Sequence, residues 1–409
     1  MSIFVSLNLL GVFLALLTLP LVLELAVLTL ASLLPANHKK TRPASAGQLP
    51  LTVLIPAHNE EALIGRCVRS VLAAGAVDID LLVIAHNCTD RTADEAKAAG
   101  ARVLVLDSAK ESGKGHALRF GFDETLKSAS VGALVVDADS EIAPNLIAEI
   151  RERFLHGSRA LQCRYDVLNT KDTPRTRLMK VAFLGFNVIR PRGRARLGLS
   201  SGIFGNGFAL HRDLLEHVPF GAFSIVEDLE YHLKLVEAGV RVDFIDNAAV
   251  YGEIPVGEEG SRTQRARWEG GRIRAMYAYA PRLLKGIARG HLRLLEPLLD
   301  LLALPLVWEI VLLLLAAALP LAWLRFYVIA SLAVLIGHVL AAAAAAPDFW
   351  GTVGSLAAVP GYVLWKLRIV PEILRRARPG ATWKRTERSA MIKIEDHRTR
   401  AQNRTKPST

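Results

Sequence analysis

Two aspartates, Asp137 and Asp139, flank a single alanine at the end of an apolar run. A pair of carboxylates so spaced at a strand end offers hard oxygen ligands. Their natural partner is Mg²⁺ or Mn²⁺ bridged to a diphosphate. A turn rich in Asp side chains explains the same three residues. Upstream, Gly113-Lys114-Gly115-His116-Ala117 opens a helix, where exposed N–H groups and a lysine suit a phosphate. It is no Walker loop, because Ser108 stands where the first glycine belongs and Gly115 replaces the Ser or Thr. An ordinary helix start remains its alternative. Glu227-Asp228 begins an amphipathic stretch that runs to Gly239. Asp228 there is either a general base or, with Glu227, an acidic residue placed to favour a helix N-terminus. In Gln264-Arg265-Ala266-Arg267-Trp268, helical spacing puts Gln264, Arg267 and Trp268 on one face. The first two can bind a diphosphate and the indole can stack on a sugar ring. A basic amphipathic helix at a membrane surface accounts for them equally.

The elements that must position these residues alternate. Short apolar runs at 51–55, 81–85, 102–106 and 134–137 are separated by helical patterns near 59–74, 90–99 and 114–127, with a further helix opening at Pro144. This β-α-β-α order implies an α/β fold with a mostly parallel sheet covered on both faces. Ligands of such sheets bind outside the carboxyl ends of the strands. The unusual polar residues fall there three times: Pro56-Ala57-His58-Asn59-Glu60, His86-Asn87-Cys88-Thr89-Asp90, and Asp137-Ala138-Asp139. Three strand ends thus converge on one site.

Outside that block the chain is apolar. The mean hydropathy of +0.29 is high for a soluble enzyme, and the excess sits in 3–34 and 292–370. The first run has no Lys or Arg ahead of it and no clear cleavage site, so it reads as an uncleaved anchor. Glu24 within it must face another helix or the interface. His38, Lys39, Lys40 and Arg42 follow directly, which places the middle of the chain on the cytosolic side. The stretches 298–319 and 326–346 read as two spans joined by a short turn. The stretch 351–370, with Pro360, Lys366 and Arg368, reads as interfacial or re-entrant. The domain plan is an anchor at 1–34, a linker at 35–49, a catalytic domain at 50–285, a membrane region at 286–371 and a basic cytosolic tail at 372–409. The net charge of +11 is concentrated beside the apolar segments and points to anionic headgroups. The absence of aromatics interleaved with the basic clusters argues against nucleic acid. The three cysteines lack metal-ligand spacing and belong in a reducing compartment.

The ordered set VLIPAHNEE, HNCTDRTA, GKGHA, DAD, GNGFAL, ED and QxxRW resembles the family 2 glycosyltransferases. Within them it resembles the membrane-integrated branch of cellulose-, chitin-, hyaluronan- and poly-N-acetylglucosamine-synthase-like enzymes. The resemblance covers roughly 50–275. It implies a GT-A fold, inner-membrane location with a cytosolic catalytic domain, and inverting transfer from a nucleotide-sugar, UDP-sugars favoured. The acceptor it implies is a growing cell-envelope saccharide, or alternatively a membrane lipid, with synthase or export subunits as further partners. On that pattern Asp137 and Asp139 hold a divalent cation and the nucleotide, and Asp228 deprotonates the acceptor. Pro56, His58, Glu60, His86, Lys114, Gln264 and Arg267 bind the donor; Gly205, Asn206, Gly207, Glu227 and Trp268 bind the acceptor. One departure is plain. Where most relatives carry an acidic base-reading residue, this chain has Ala85-His86-Asn87-Cys88, which leaves GDP or dTDP donors open. A catalytically dead scaffold fits poorly, because every other catalytic position is filled.

Overall fold

The computed structural model describes residues 2–35, 49–75, 77–108, 111–168, 174–255 and 257–378. Most of the expected linker at 35–49 and of the basic tail at 372–409 lies outside the described residues. Contacts divide the chain into two compact units. One comprises described residues of 2–35, 177–201 and 269–378, the other those of 49–176 and 202–268. The expected continuous domain at 50–285 is therefore interrupted at 177–201 and gives way at Glu269.

Helix α1 (Ser2–Ser32) opens the first unit. The second unit is the α/β one. Its elements are β1 (Leu51–Ala57), α2 (Ile64–Ala73), β2 (Ile79–His86), α3 (Thr92–Ala98), β3 (Arg102–Leu106), α4 (Lys114–Lys127), β4 (Gly132–Val135), β5 (Ser140–Ile142), α5 (Leu146–Leu155) and β6 (Ala160–Val167). After 177–201, which carries α6 (Pro174–Leu184) and α7 (Arg190–Arg196), come β7 (Phe208–His211), α8 (Arg212–His217), α9 (Glu227–Glu237) and β8 (Val242–Gly252). Eight strands form one sheet in the order β3-β2-β1-β4-β7-β6-β8-β5. The first four are parallel, β7 is antiparallel to both neighbours, and β8 is parallel to β6 but antiparallel to β5.

The middles of β1, β2 and β4 are apolar and buried because both faces of the sheet are covered there. The two-residue period of a strand divides them cleanly. Leu51, Val53, Ile55, Leu81, Val83 and Leu134 pack in one core cluster. Leu54, Leu82, Ile84, Ala133 and Val135 pack in the other, under α4. The sharp turns at the strand ends are made by Asn59 and Asn87, with φ of 56° and 51°, a region Asn tolerates better than most residues.

In the first unit, α1 packs on α12 (Leu306–Ala317) and α13 (Ala322–Ala344) through Leu14, Leu21, Leu25, Leu313, Leu324 and Val328. The part of α10 (Glu258–Ala288) from Glu269 on, with α11 (Leu295–Leu302), α14 (Phe349–Gly354), α15 (Val359–Arg368) and α16 (Val370–Ala377), also belongs to this unit. Residues 177–201 join this unit because α7 lies directly on α1. A Cβ at Gly193 would sit 2.2 Å from the Leu28 carbonyl oxygen. Glu24 is answered there: it accepts from Arg194 at 2.7 Å and pairs with Arg190, and both arginines also bind Asp300. The buried acid thus faces another helix, as its cost in an apolar span requires.

By length and composition, two described helices, α1 and α13, can cross a membrane; counting each bent helix pair as one span raises this to four. The stretch expected as a span at 298–319 is bent by 79° between Leu302 and Leu306. The helix ends at Ala303, which is extended with ψ of 127°, and the next begins after Pro305, itself extended with ψ of 137°. The stretch 351–370 is interrupted just ahead of Pro360, as expected: α14 ends at Gly354, a 3-10 turn spans Ser355–Ala358, and α15 begins at Val359. Pro360 occupies the first turn of α15, where its missing N–H is harmless, and the 50° bend comes after Arg368.

Candidate active site

The carboxyl end of β4 carries the first cluster. Past Val135 the chain turns through Asp137 and Asp139 into β5, and the Asp137 N–H donates to Asn206 Oδ1 at 3.0 Å. The Asn206 amide donates in turn to Ser140 Oγ at 2.9 Å. The loop Gly205-Asn206-Gly207 is thereby tied to the D-x-D turn. Gln162 of β6, fully buried, closes the arrangement from below. Its Nε2 donates to the carbonyls of Asn206 at 2.8 Å and Gly207 at 3.2 Å, and its Oε1 accepts from the Phe204 N–H at 3.0 Å. Both glycines are needed. They have φ of 76° and 68°, and a Cβ at Gly207 would lie 2.4 Å from Cys163 Sγ.

Lys114, the first residue of α4, reaches into this loop. Its ammonium pairs with Asp137 Oδ1 and donates to the Gly205 carbonyl. Asp228, in the first turn of α9, is close by. A Cβ at Gly205 would be 3.2 Å from Asp228 Oδ2 and 3.6 Å from Lys114 Nζ. Asp228 Oδ1 accepts from the Leu229 N–H at 2.8 Å. Lys114, Asp137, Gly205, Asn206 and Asp228, dispersed over more than a hundred residues of sequence, thus form one constellation.

The ends of β1 and β2 hold a second cluster. His58 Nδ1 donates to the His86 carbonyl at 2.8 Å, and the Glu60 N–H donates to Thr92 Oγ1 at 2.7 Å. Asp90 caps α3 by accepting from the Thr92 N–H at 3.0 Å. Pro56 pairs in register with Ile84 in the β1–β2 ladder. His86 is buried and its Nε2 donates to the Glu111 carbonyl at 2.9 Å.

The third group rides on α10. Gln264 is buried with its Oε1 unpartnered, while Arg267 and Trp268 are half-buried on the same face. The guanidinium of Arg265 lies 5.5 Å from the Trp268 ring centre. Behind the D-x-D turn, Arg66 donates to the Asp139 carbonyl at 3.4 Å and pairs with Glu141 and Glu253 at 3.1 and 2.7 Å. Neither Arg66 nor Gln162 stands out in a motif. Only the polar Gln162 within the apolar run Ala160–Cys163 gives a signal in the sequence.

Comparison with known proteins decides the family. The model described as glycosyltransferase like family 2 matches residues 48–271, over half of the chain. The chain belongs to that family. This family 2 glycosyltransferase is 25% identical over 236 residues to the probable glycosyltransferase YdaM of Bacillus subtilis, covering 55% of this chain and 56% of that one. It is also 37% identical over 84 residues to the 4,4'-diaponeurosporenoate glycosyltransferase of Staphylococcus aureus, which is 20% of this chain and 22% of that one. The matches therefore span about half or less of these relatives' length. A mannosyltransferase from Pyrobaculum calidifontis, solved with GDP-Man and Mn²⁺, superposes with a TM-score of 0.52 at 17% identity, covering 91% of this chain and 97% of that one. With the sheet order above, this likeness shows the GT-A fold. The family and the fold are thereby shown; the membrane-integrated branch within the family is a finer assignment.

The electrostatics of the glycosyltransferase site are concentrated on three carboxylates and one ammonium. Burial raises the pKa of Asp228, and the nearby Asp137 carboxylate adds to the rise, against the opposing pull of Lys114 and backbone donors. Burial, then repulsion from Asp228, raises Glu227 to about 7. Burial disfavours the Lys114 ammonium, but Asp137, Glu227 and Asp228 together outweigh it and raise its pKa. Lys114 is thus a fixed cation. Cys67 and Cys163, both buried, have raised pKa values that keep them as inert thiols.

Among the described residues no group of three or more His, Cys, Asp or Glu side chains is arranged to hold a metal. What the turn offers is two carboxylates. Asp139 accepts from Ser140 Oγ at 3.2 Å, and Asp137 already holds the Lys114 ammonium. This oxygen-only donor set fits Mg²⁺ or Mn²⁺, provided the diphosphate and water supply the remaining ligands.

Proposed function

We propose that this glycosyltransferase moves a sugar, with inversion, from a nucleotide-sugar to an acceptor hydroxyl presented at the inner membrane, with its α/β unit in the cytosol. The observation that carries the reading is the placement of a fixed cation, Lys114, against Asp137 and the Gly205 carbonyl, with Asp228 beside the same glycine. A donor diphosphate meets the cation, and the acceptor meets the carboxylate.

In the reaction, Asp228 accepts the proton of the acceptor hydroxyl as its oxygen attacks the anomeric carbon. The bond from that carbon to the diphosphate oxygen breaks, and the nucleoside diphosphate leaves with the electron pair. Lys114, Gln264 and Arg267 offset the charge that develops on it. Asp137 and Asp139 would hold Mg²⁺ or Mn²⁺, which supplies further neutralisation of the diphosphate when bound. Pro56, His58, Glu60 and His86 surround the nucleotide end. Glu227, Trp268 and the Gly205-Asn206-Gly207 loop line the acceptor path.

The acceptor we favour is a growing cell-envelope saccharide, as in the membrane-integrated branch of the family. A membrane lipid is the second reading, favoured by the similarity to an enzyme named for diaponeurosporenoate and by the apolar helical unit. Membranes bearing the full chain, supplied with radiolabelled UDP-, GDP- and dTDP-sugars, test both. Label should pass from one donor into product, and sizing separates a polymer from a single-sugar lipid. No transfer from any donor of the panel would defeat the proposal.

A further inference from the structure

The turn that carries Asp137 and Asp139 runs into the shortest strand of the sheet. β5 has three residues, lies at the sheet edge and pairs with β8 alone among the described strands, Ser140 opposite Gly252 and Ile142 opposite Val250. Three residues paired on one side make few ladder bonds, so such a strand opens more readily than those inside the sheet.

Further support comes from one helix. On α2, Arg66, Cys67 and Ser70 share a face by i, i+3, i+4 spacing, and each makes a bond to the backbone of this segment. Cys67 Sγ donates to the Asp137 carbonyl at 3.4 Å, and Arg66 Nη2 donates to the Asp139 carbonyl at 3.4 Å. Ser70 Oγ accepts from the Ile142 N–H at 3.2 Å. Arg66 reaches furthest. Its Nε lies 3.1 Å from Glu141 of β5, and its Nη1 lies 2.7 Å from Glu253, the residue after β8. The planar fork of a guanidinium presents several donors at once. One side chain thus ties α2 to the D-x-D turn and to both strands that follow from it in the sheet.

We infer that Arg66 is a positioning residue for the divalent cation of the donor site: by holding the Asp139 backbone between α2, β5 and β8, it sets the spacing of the two carboxylates. The inference rests on the metal assignment proposed above. Metal-binding carboxylates depend on such outer partners, whose removal costs about 10–100-fold in metal affinity or activity. The sign of the effect separates placement from charge. A guanidinium near a cation site repels the cation, and its loss would leave Glu141 and Glu253 without their counter-charge. Acting through charge alone, Arg66 would oppose Mn²⁺, and its removal would tighten binding. Acting by placement, its removal weakens binding.

The test reads the Mn²⁺ concentration at which the full chain in detergent reaches half of its maximal nucleotide binding. Equilibrium dialysis with radiolabelled UDP, GDP and dTDP in turn supplies it. For the nucleotide that the parent retains, Arg66→Met should raise that concentration about 10–100-fold, with binding restored at saturating Mn²⁺. Arg66→Lys keeps the charge without the fork and should give a value between the two. An unchanged or lowered value in Arg66→Met would overturn the placement and leave the metal assignment standing. Should Arg66→Met retain no nucleotide at any Mn²⁺ concentration, Arg66→Lys decides: a raised value supports the placement and a parental one overturns it. A parent chain that binds none of the three nucleotides, or binds them equally in Mn²⁺ and in EDTA, defeats the metal assignment, and the role of Arg66 falls with it.

Discussion

At Asp228 the environment sets both a rate and a pH limb. Replacing Asp228 by Asn should lower transfer about 10²–10⁴-fold, the range of a positioned proton acceptor. Donor affinity should stay within a few-fold, since the lost charge acts on the acceptor. Comparing product formation with nucleotide-sugar titration checks this; turnover near the parent rate would remove Asp228 from the mechanism. The base must be ionised to work, and its pKa is raised by burial. Activity should therefore fall on the acid side at a higher pH than the ordinary Asp value of about 3.9 would give. A pH–rate profile flat down to that value would contradict it. Asp139→Ala should abolish dependence on added Mg²⁺ or Mn²⁺ along with most activity, and full activity in excess EDTA would defeat the metal assignment of Asp137 and Asp139 together. Asp137 and Asp139 could be marked in sequence by their spacing after an apolar run, and Asp228 by its place at a helix start. Arg66 could not, because a polar side chain that braces a backbone carbonyl leaves no periodic or spaced signature, and Gln162 showed only as a polar residue inside an apolar run. His86 was legible as a departure, but its bond to the Glu111 carbonyl depends on a loop that sequence does not fold.

The elements explain why the site stays in place. Strand periodicity and the α/β alternation were readable along the chain, and α4 begins at Lys114 as expected. What could not be read is the crossing of segments distant in sequence. Gly207 lies against Cys163 and Val250, on two other strands. Gly207→Ala combines a left-handed backbone with a methyl in occupied space, and should destabilise the α/β unit by about 1–3 kcal/mol, read as a lower midpoint in thermal unfolding. On α10, Trp268 offers a contrast of mechanisms. If it stacks on the acceptor, acceptor-dependent rate should fall in the order Trp, Phe, Ala, by about 0.5–1.5 kcal/mol beyond the buried area, with donor affinity unchanged. A flat series would make it an interfacial aromatic.

For the whole molecule, the interleaving of the two units is the feature sequence hid. Residues 177–201 read as part of a continuous catalytic block, yet Arg190 and Arg194 find Glu24 over 160 residues upstream and Asp300 over 100 downstream. Pairing over such separations has no local signal. The spans raise the same difficulty, because composition marks an apolar stretch without saying whether it crosses. The prediction that follows is about topology. On the function proposed above, the basic residues beside α1 put the chain after it in the cytosol. If α12 with α11 and then α13 cross as a pair, residues from 349 onward return to the cytosolic side. The segment from Phe349 to Ala377, carrying Lys366, Arg368, Arg375 and Arg376 and bent by 50°, then stays at the interface, where its charges meet anionic headgroups. A single cysteine at Ser408, in a chain whose native cysteines are replaced, should be shielded from an impermeant thiol reagent in intact cells and react once the membrane is opened. Labelling from outside would make the Phe349–Ala377 segment a further span. It would also carry Lys366, which is buried and paired with Glu269 of α10, into the bilayer. The exposed Arg368 and Arg375 would go with it, at a cost of several kcal/mol for each ion taken out of water. An interfacial segment keeps both beside water and headgroups, which is the physical reason to expect the shielded result.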